Sequence, residues 1–193
     1  MKHWVAFVWT FFIIVFFIVA YSISNDPYSQ IIRDSEFIGS PNASIIIVEF
    51  GDYLDPVSRQ SENNMKRLRM DYDVKFIYKH FVKSNESIHA AMGAKCAQGQ
   101  GFFEEMHTSL YSYSGDFTVH AINNMAAEIG GLKLDKFEVC MDEGLFKFNI
   151  ERETNLGERL EVAFLPVVYI NEKRFEGLVD YSSYSSFIDN ENV

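Results

Sequence analysis

With 193 residues and 48% hydrophobic side chains, the chain has enough apolar mass for one core and too little for two domains of ordinary size. Lys2 is the sole formal charge before Asp26, so the remainder carries 16 basic and 27 acidic residues, 16 − 27 = −11. That balance argues against nucleic acid and anionic lipid headgroups as partners of the bulk of the protein, and there is no basic cluster, internal repeat or low-complexity tract.

Residues 1–24 read as a membrane anchor or signal segment. From Trp4 to Ile23 the chain runs WVAFVWTFFIIVFFIVAYSI without a charge. As a helix those residues would reach about 30 Å, the thickness of a hydrocarbon core. Lys2 before the run and Asp26 after it favour an N-terminus in the cytoplasm and an exported remainder. The alternative is secretion after signal cleavage, since Ala20 and Ser22 stand at a small-residue spacing that suits a peptidase. Both readings place the domain outside the cytoplasm, anchored through residues 4–23 or released.

Residues 25–40 are polar and mixed and read as a linker, with a folded domain over 41–193. Its first element is Ile45-Ile46-Ile47-Val48-Glu49-Phe50, a β-branched run between turn residues that predicts a buried central strand. Asp55-Pro56 supplies an N-cap and a first-turn proline, which predicts a helix from Pro56 to about Met70 with Val57, Met65 and Leu68 inward. Val74 to Tyr78 is a second strand, parallel to the first through a right-handed crossover.

A helical section follows at about 84–158. Ile88, Met92 and Cys96, then Phe103, Met106 and Leu110, recur at helical spacing and predict two helices. A third covers Ala121 to Ile129, Phe137, Cys140 and Met141 mark a fourth, and Phe146 to Leu160 is a fifth. Val167 to Ile170 and Arg174 to Glu176 form a hairpin about Asn171-Glu172-Lys173, and a short helix over Tyr181 to Ile188 closes the chain. The order is β-α-β, several helices, then β-β-α, an α/β class.

Four collinear segments carry a resemblance. Gly39-Ser40-Pro41-Asn42-Ala43 with IIIVEFGDY, YKHF at Tyr78 to Phe81, Cys96-Ala97 through Gln100-Gly101 to Glu105-Met106-His107, and LPVVYIN at Leu165 to Asn171 resemble the DsbA-like thioredoxin-fold disulfide oxidoreductases. The resemblance covers about Ile38 to Ile188. It implies a thioredoxin fold with an inserted helical subdomain, here preceded by one transmembrane helix, and a Cys-x-x-Cys at the start of the first helix, where the helix N-terminus stabilises a thiolate.

Those four positions read Asp55-Pro56-Val57-Ser58. Neither Asp55 nor Ser58 can form a mixed disulfide, so thiol exchange there is chemically impossible. Asp55 serves as an N-cap on this reading, in preference to an acid-base group, since no second titratable partner stands out nearby in sequence. The resemblance also implies that Pro166 is cis and lies against this site, exposing backbone to an extended peptide. Leu165 before it is more apolar than the Thr or Val usual there. Pro56, Val57, Leu165 and Pro166 are thus the candidate peptide-binding residues, set against a cis-proline that is merely structural.

Cys96 and Cys140 are the two cysteines, 44 positions apart on the apolar faces of two predicted helices. They admit a structural disulfide, two buried free thiols or a redox couple. Export favours the first, and relatives in the resembling family often carry cysteines at matching places. The histidines at 80, 89, 107 and 120 lack the spacing of a zinc site, and His107 reads as a satisfied residue of the helical layer. No metal site and no small-molecule cofactor is expected. Asn42-Ala43-Ser44 and Asn85-Glu86-Ser87 match the glycosylation sequon, which matters only in a eukaryotic secretory pathway.

Three functions fit. The first is a non-catalytic, extracytoplasmic module with a degenerate active site that binds a protein or extended peptide. The second is a thiol-disulfide oxidoreductase using Cys96 and Cys140 or a partner's cysteines. The third is a structural subunit of an envelope complex held by its anchor.

Overall fold

The computed structural model describes residues 9, 11–17, 31–32, 35 and 37–191. The chain divides into a unit spanning Met1–Ser35 and a unit spanning Glu36–Val193. In the first, Trp9 and residues 11–17 are helical with exposed side chains. Among the described residues no helix is long and apolar enough to cross a membrane. Most of the span expected over residues 4–23, and most of the linker after it, lies outside the described residues.

The second unit is a five-stranded sheet flanked by helices. In chain order its elements are β1 (Ile38–Gly39), β2 (Ile45–Gly51), α1 (Pro56–Asp71), β3 (Val74–His80), α2 (Asn85–Gln98), α3 (Phe103–Ser112), α4 (Val119–Glu128), α5 (Leu134–Asp142), α6 (Lys147–Arg159), β4 (Val167–Ile170), β5 (Lys173–Glu176) and α7 (Tyr181–Asn190). The strand order is β1-β3-β2-β4-β5; β2 and β3 are parallel, and every other pairing is antiparallel.

One strand departs from the sequence reading. Ile38–Gly39, assigned to the linker, pairs with β3, and the Ser40 amide donates to Val74 O at 3.0 Å. Two residues carry no periodicity, and the free edge of β3 recruits them. Gly39 sits at φ +89°, and a Cβ there would fall 2.2 Å from Val74 O, so the close approach requires glycine.

β2 is buried on both faces because the sheet is covered on both sides. Ile45 and Ile47 join a core with Met65 and Leu68 of α1, while Phe50 on the other face lies against α6. Val57, expected to point inward from α1, is only partly buried. α7 is tied to α1 by Asn64, whose side-chain amide donates to Val179 O at 2.9 Å, and by the Arg67 guanidinium 3.8 Å above the Tyr181 ring.

The helical layer of α2 to α5 is closely packed where glycine allows it. A Cβ on Gly93 of α2 would meet Ile122 of α4 at 2.5 Å. Cys96 of α2 and Cys140 of α5 are joined by a disulfide with a Cα–Cα distance of 5.9 Å.

Candidate functional site

The N-terminus of α1 is built as the local chemistry dictates. Asp55 lies in extended conformation and accepts the Ser58 amide on Oδ1 at 2.7 Å, while Pro56 takes the first turn, where it forfeits no hydrogen bond. Ser58 is fully buried, with Oγ 3.5 Å from the Asp52 amide. Arg59 fastens this turn to the helical layer: its guanidinium donates to Tyr53 O at 3.0 Å and to Tyr113 O beyond α3.

A cleft of about 650 Å³ opens beside this turn. Asp55, Pro56, Val57 and Leu165, four of the residues singled out from sequence, line it together. The Leu165–Pro166 bond is cis. The Pro166 carbonyl accepts from the Gly177 amide at 2.8 Å, whereas among the described residues no hydrogen bond reaches the backbone of Leu165. Phe164, next in line, is 72% exposed. Ser58 is beneath the surface and outside the lining, and neither Cys96 nor Cys140 lines the cleft.

The same cleft holds polar groups that the sequence reading passed over. Asp52, which the sequence reading did not single out as a partner, shares the lining with Asp55, as do Lys83, Ser84 and Ser87. Asp52 is buried; its Oδ1 accepts the Leu54 amide at 2.9 Å and its Oδ2 accepts the Ser87 hydroxyl at 2.7 Å. Burial pushes its pKa up, and these hydrogen bonds oppose the shift. Ser84 caps α2 by accepting the Ser87 amide at 3.0 Å. Ser84 and Ser87 were legible as a cap spacing, but nothing in the sequence brings α2 to α1.

Beneath the cleft lies a buried polar network. The Tyr53 hydroxyl donates to His107 Nδ1 at 2.9 Å, His107 Nε2 donates to Glu62 Oε2 at 3.2 Å, and Arg69 donates to Glu62 Oε1 at 2.7 Å. Burial lowers the His107 pKa and favours the neutral ring, in which Nε2 carries the proton toward the Glu62 carboxylate and Nδ1 accepts from Tyr53. Burial alone would raise Glu62, but the hydrogen bond from His107 and the Arg69 charge hold it ionised. His80, with its ring centroid 5.9 Å from that of Tyr53, continues the polar core: His80 Nδ1 and Lys95 Nζ both lie 2.8 Å from Glu153, whose pKa is pulled down to about 2 against the opposing effect of burial.

Glu49 stands apart from these pairs. It is fully buried at the centre of β2, and neither carboxyl oxygen has a hydrogen-bond partner. Burial, reinforced by repulsion from Glu62, raises its pKa well above the ordinary carboxylate range. An acid within the apolar run from Ile45 to Phe50 was the available signal, and the strand pattern masked it. Among the described residues no cluster of three or more His, Cys, Asp or Glu side chains is arranged to hold a metal ion.

Residues 33–190 match the family model described as Thioredoxin. The chain belongs to that family. It is 21% identical over 173 residues to disulfide bond formation protein D of Bacillus subtilis, covering 83% of this chain and 78% of that protein. It is 26% identical over 165 residues to Na(+)/H(+) antiporter NhaA 1 of Mycobacterium sp., covering 82% of this chain but only 26% of the antiporter's length. Among solved structures it is similar to the thiol-disulfide exchange protein alpha-DsbA2 from Wolbachia pipientis, with a TM-score of 0.77, 25% identity and coverage of 84% of this chain and 90% of that one. The fold is therefore a DsbA-like thioredoxin fold with a helical insertion.

Proposed function

We propose that this protein is an extracytoplasmic, membrane-tethered module of the DsbA class with a degenerate active site, which binds protein segments in extended form without exchanging disulfides. One observation carries the reading: the start of α1 presents Asp55-Pro56-Val57-Ser58, and the chain's two cysteines are bonded to each other outside the cleft. A carboxylate and a hydroxyl cannot form a mixed disulfide. The parts that need no sulfur are present: a cis-proline turn, the unpaired backbone of Leu165 and an apolar wall at Phe164 and Val57. A strand added at Leu165 would gain main-chain hydrogen bonds, with side-chain pockets supplying specificity. Residues 4–23 supply the tether, with secretion after cleavage as its alternative.

The relatives' names favour a second reading, a thiol-disulfide oxidoreductase that works through Cys96 and Cys140 or through a partner's cysteines. Cys96 is 2% and Cys140 7% exposed, which is poor access for an attacking thiolate. Disulfide reduction and oxidation assays on the full-length chain, with thiols counted before and after denaturation, separate the two. No turnover, with no free thiol before or after denaturation until a reductant is added, is the expected result; turnover abolished by Cys96→Ser refutes it. The double variant Asp55→Cys, Ser58→Cys should acquire exchange activity, and a folded double variant that stays inert would contradict the placement of the site.

A further inference from the structure

We propose that the cleft at the start of α1 selects segments in which a bulky apolar side chain is flanked by lysine or arginine. This rests on the peptide-binding reading above and narrows its ligand class. The apolar requirement comes from Phe164, Leu165, Pro56 and Val57 in the lining, with Phe164 72% exposed and Leu178 just beyond it 46% exposed. A large side chain laid here would remove aromatic and aliphatic surface from water.

The charge requirement comes from the remaining lining residues. Asp52, Asp55 and Glu176 face one base, Lys83, so the lining carries 1 − 3 = −2. Asp55 commits Oδ1 to the Ser58 amide, and no partner among the described residues reaches its Oδ2. Glu176 meets the half-buried Arg174 Nε at 2.9 Å, but Glu176 itself is exposed, and the guanidinium also donates to Leu160 O and Glu161 O, away from the lining. Lys83 is exposed, with Nζ 5.1 Å from the Phe81 ring centroid, and leaves the acidic excess in place. The field of the whole chain after Lys2, at −11, acts in the same direction and steers cationic segments inward. An acidic segment would bring like charges together at the mouth.

The test uses the full-length chain in mild detergent and fluorescence anisotropy with three short synthetic peptides that share one apolar centre flanked by Lys, Gln or Glu. With surface charge contacts of the usual strength, the Lys peptide should bind about fivefold tighter than the Glu peptide at low salt. That ratio should fall toward one at about 0.5 M salt. It should also collapse in the double variant Asp55→Asn, Glu176→Gln, where asparagine keeps the helix cap while removing the charge. Equal binding of all three peptides by the wild type refutes the charge selection and leaves the peptide groove standing. No binding of any peptide refutes the groove and the selection together, and a Lys preference that survives in the double variant places the selection elsewhere and overturns this proposal.

Discussion

Replacing Glu49 by leucine should stabilise the protein, and by more at high pH than at low. Glu49 is fully buried with both carboxyl oxygens unpartnered, and Arg69, whose charge acts on it, makes its ion pair with Glu62 instead. A buried polar group without a partner costs about 1–3 kcal/mol, and leucine fills similar space with no such group. Taking the middle of that range, Tm should rise by about 4–8 °C for a chain of this size. The pH dependence follows from the raised pKa. A group whose folded pKa lies above its unfolded value, about 4.3 for glutamate, favours folding fully below that value and loses the contribution as pH rises through the folded one. Melting followed by circular dichroism at pH 4 and pH 8 should therefore show that gap at pH 4, where the unpartnered acid is neutral, and a wider one at pH 8. A variant less stable than wild type at pH 8, or a gap independent of pH, would refute the account of Glu49 as an uncompensated buried acid.

In the Glu49→Leu background, stability to denaturant should fall from pH 7.5 to pH 5. His80 and His107 are buried with lowered pKa, so their unfolded forms take up protons first, from about pH 6.5 downward. A midpoint independent of pH in that window would show that neither histidine is held neutral. Replacing both Cys96 and Cys140 by alanine opens a 44-residue loop and should cost about 4 kcal/mol, lowering Tm by roughly 8–16 °C in a calorimetric scan. Gly157→Ala would place a Cβ 2.5 Å from the Phe81 ring and 3.3 Å from that of Phe50, a clash worth about 1–3 kcal/mol by denaturant titration. Gly130→Ala, with nothing within 4 Å, is its control and should show no such loss.

What could be read from the sequence was what local rules determine. The strands from Ile45 and Val167, the helix begun by Asp55-Pro56 and the inward faces at Met106, Leu110, Phe137 and Cys140 all emerged where the pattern placed them. Each depends on a run, a cap or a period contained within a few residues. The short strand at Ile38 has none of these and exists because β3 offers an edge. The polar half of the cleft was hidden for the same reason. Asp52, Ser87 and Glu176 come from three separate elements, and only the folded chain brings them to one place. Glu62 and His107 were visible as residues but not as partners, because a hydrogen bond between α1 and α3 has no sequence signature.

On the proposed reading, the four positions at the start of α1 dispense with thiol chemistry while keeping the local structure intact. Asp55 gives the helix an N-cap that a cysteine would not supply as well, Pro56 fits the first turn, and Ser58 is small enough to be buried beside the Asp52 amide. Each residue therefore meets the local demand of its position without sulfur. The cis-proline turn and the Arg59 clamp to α3 depend on none of these side chains being a thiol, since they rest on backbone carbonyls and on the guanidinium. A scaffold built this way holds its cleft open and in register whether or not it can exchange disulfides. On that reading, recognition and redox chemistry must be separable by two side chains, and the Asp55→Cys, Ser58→Cys variant tests that requirement.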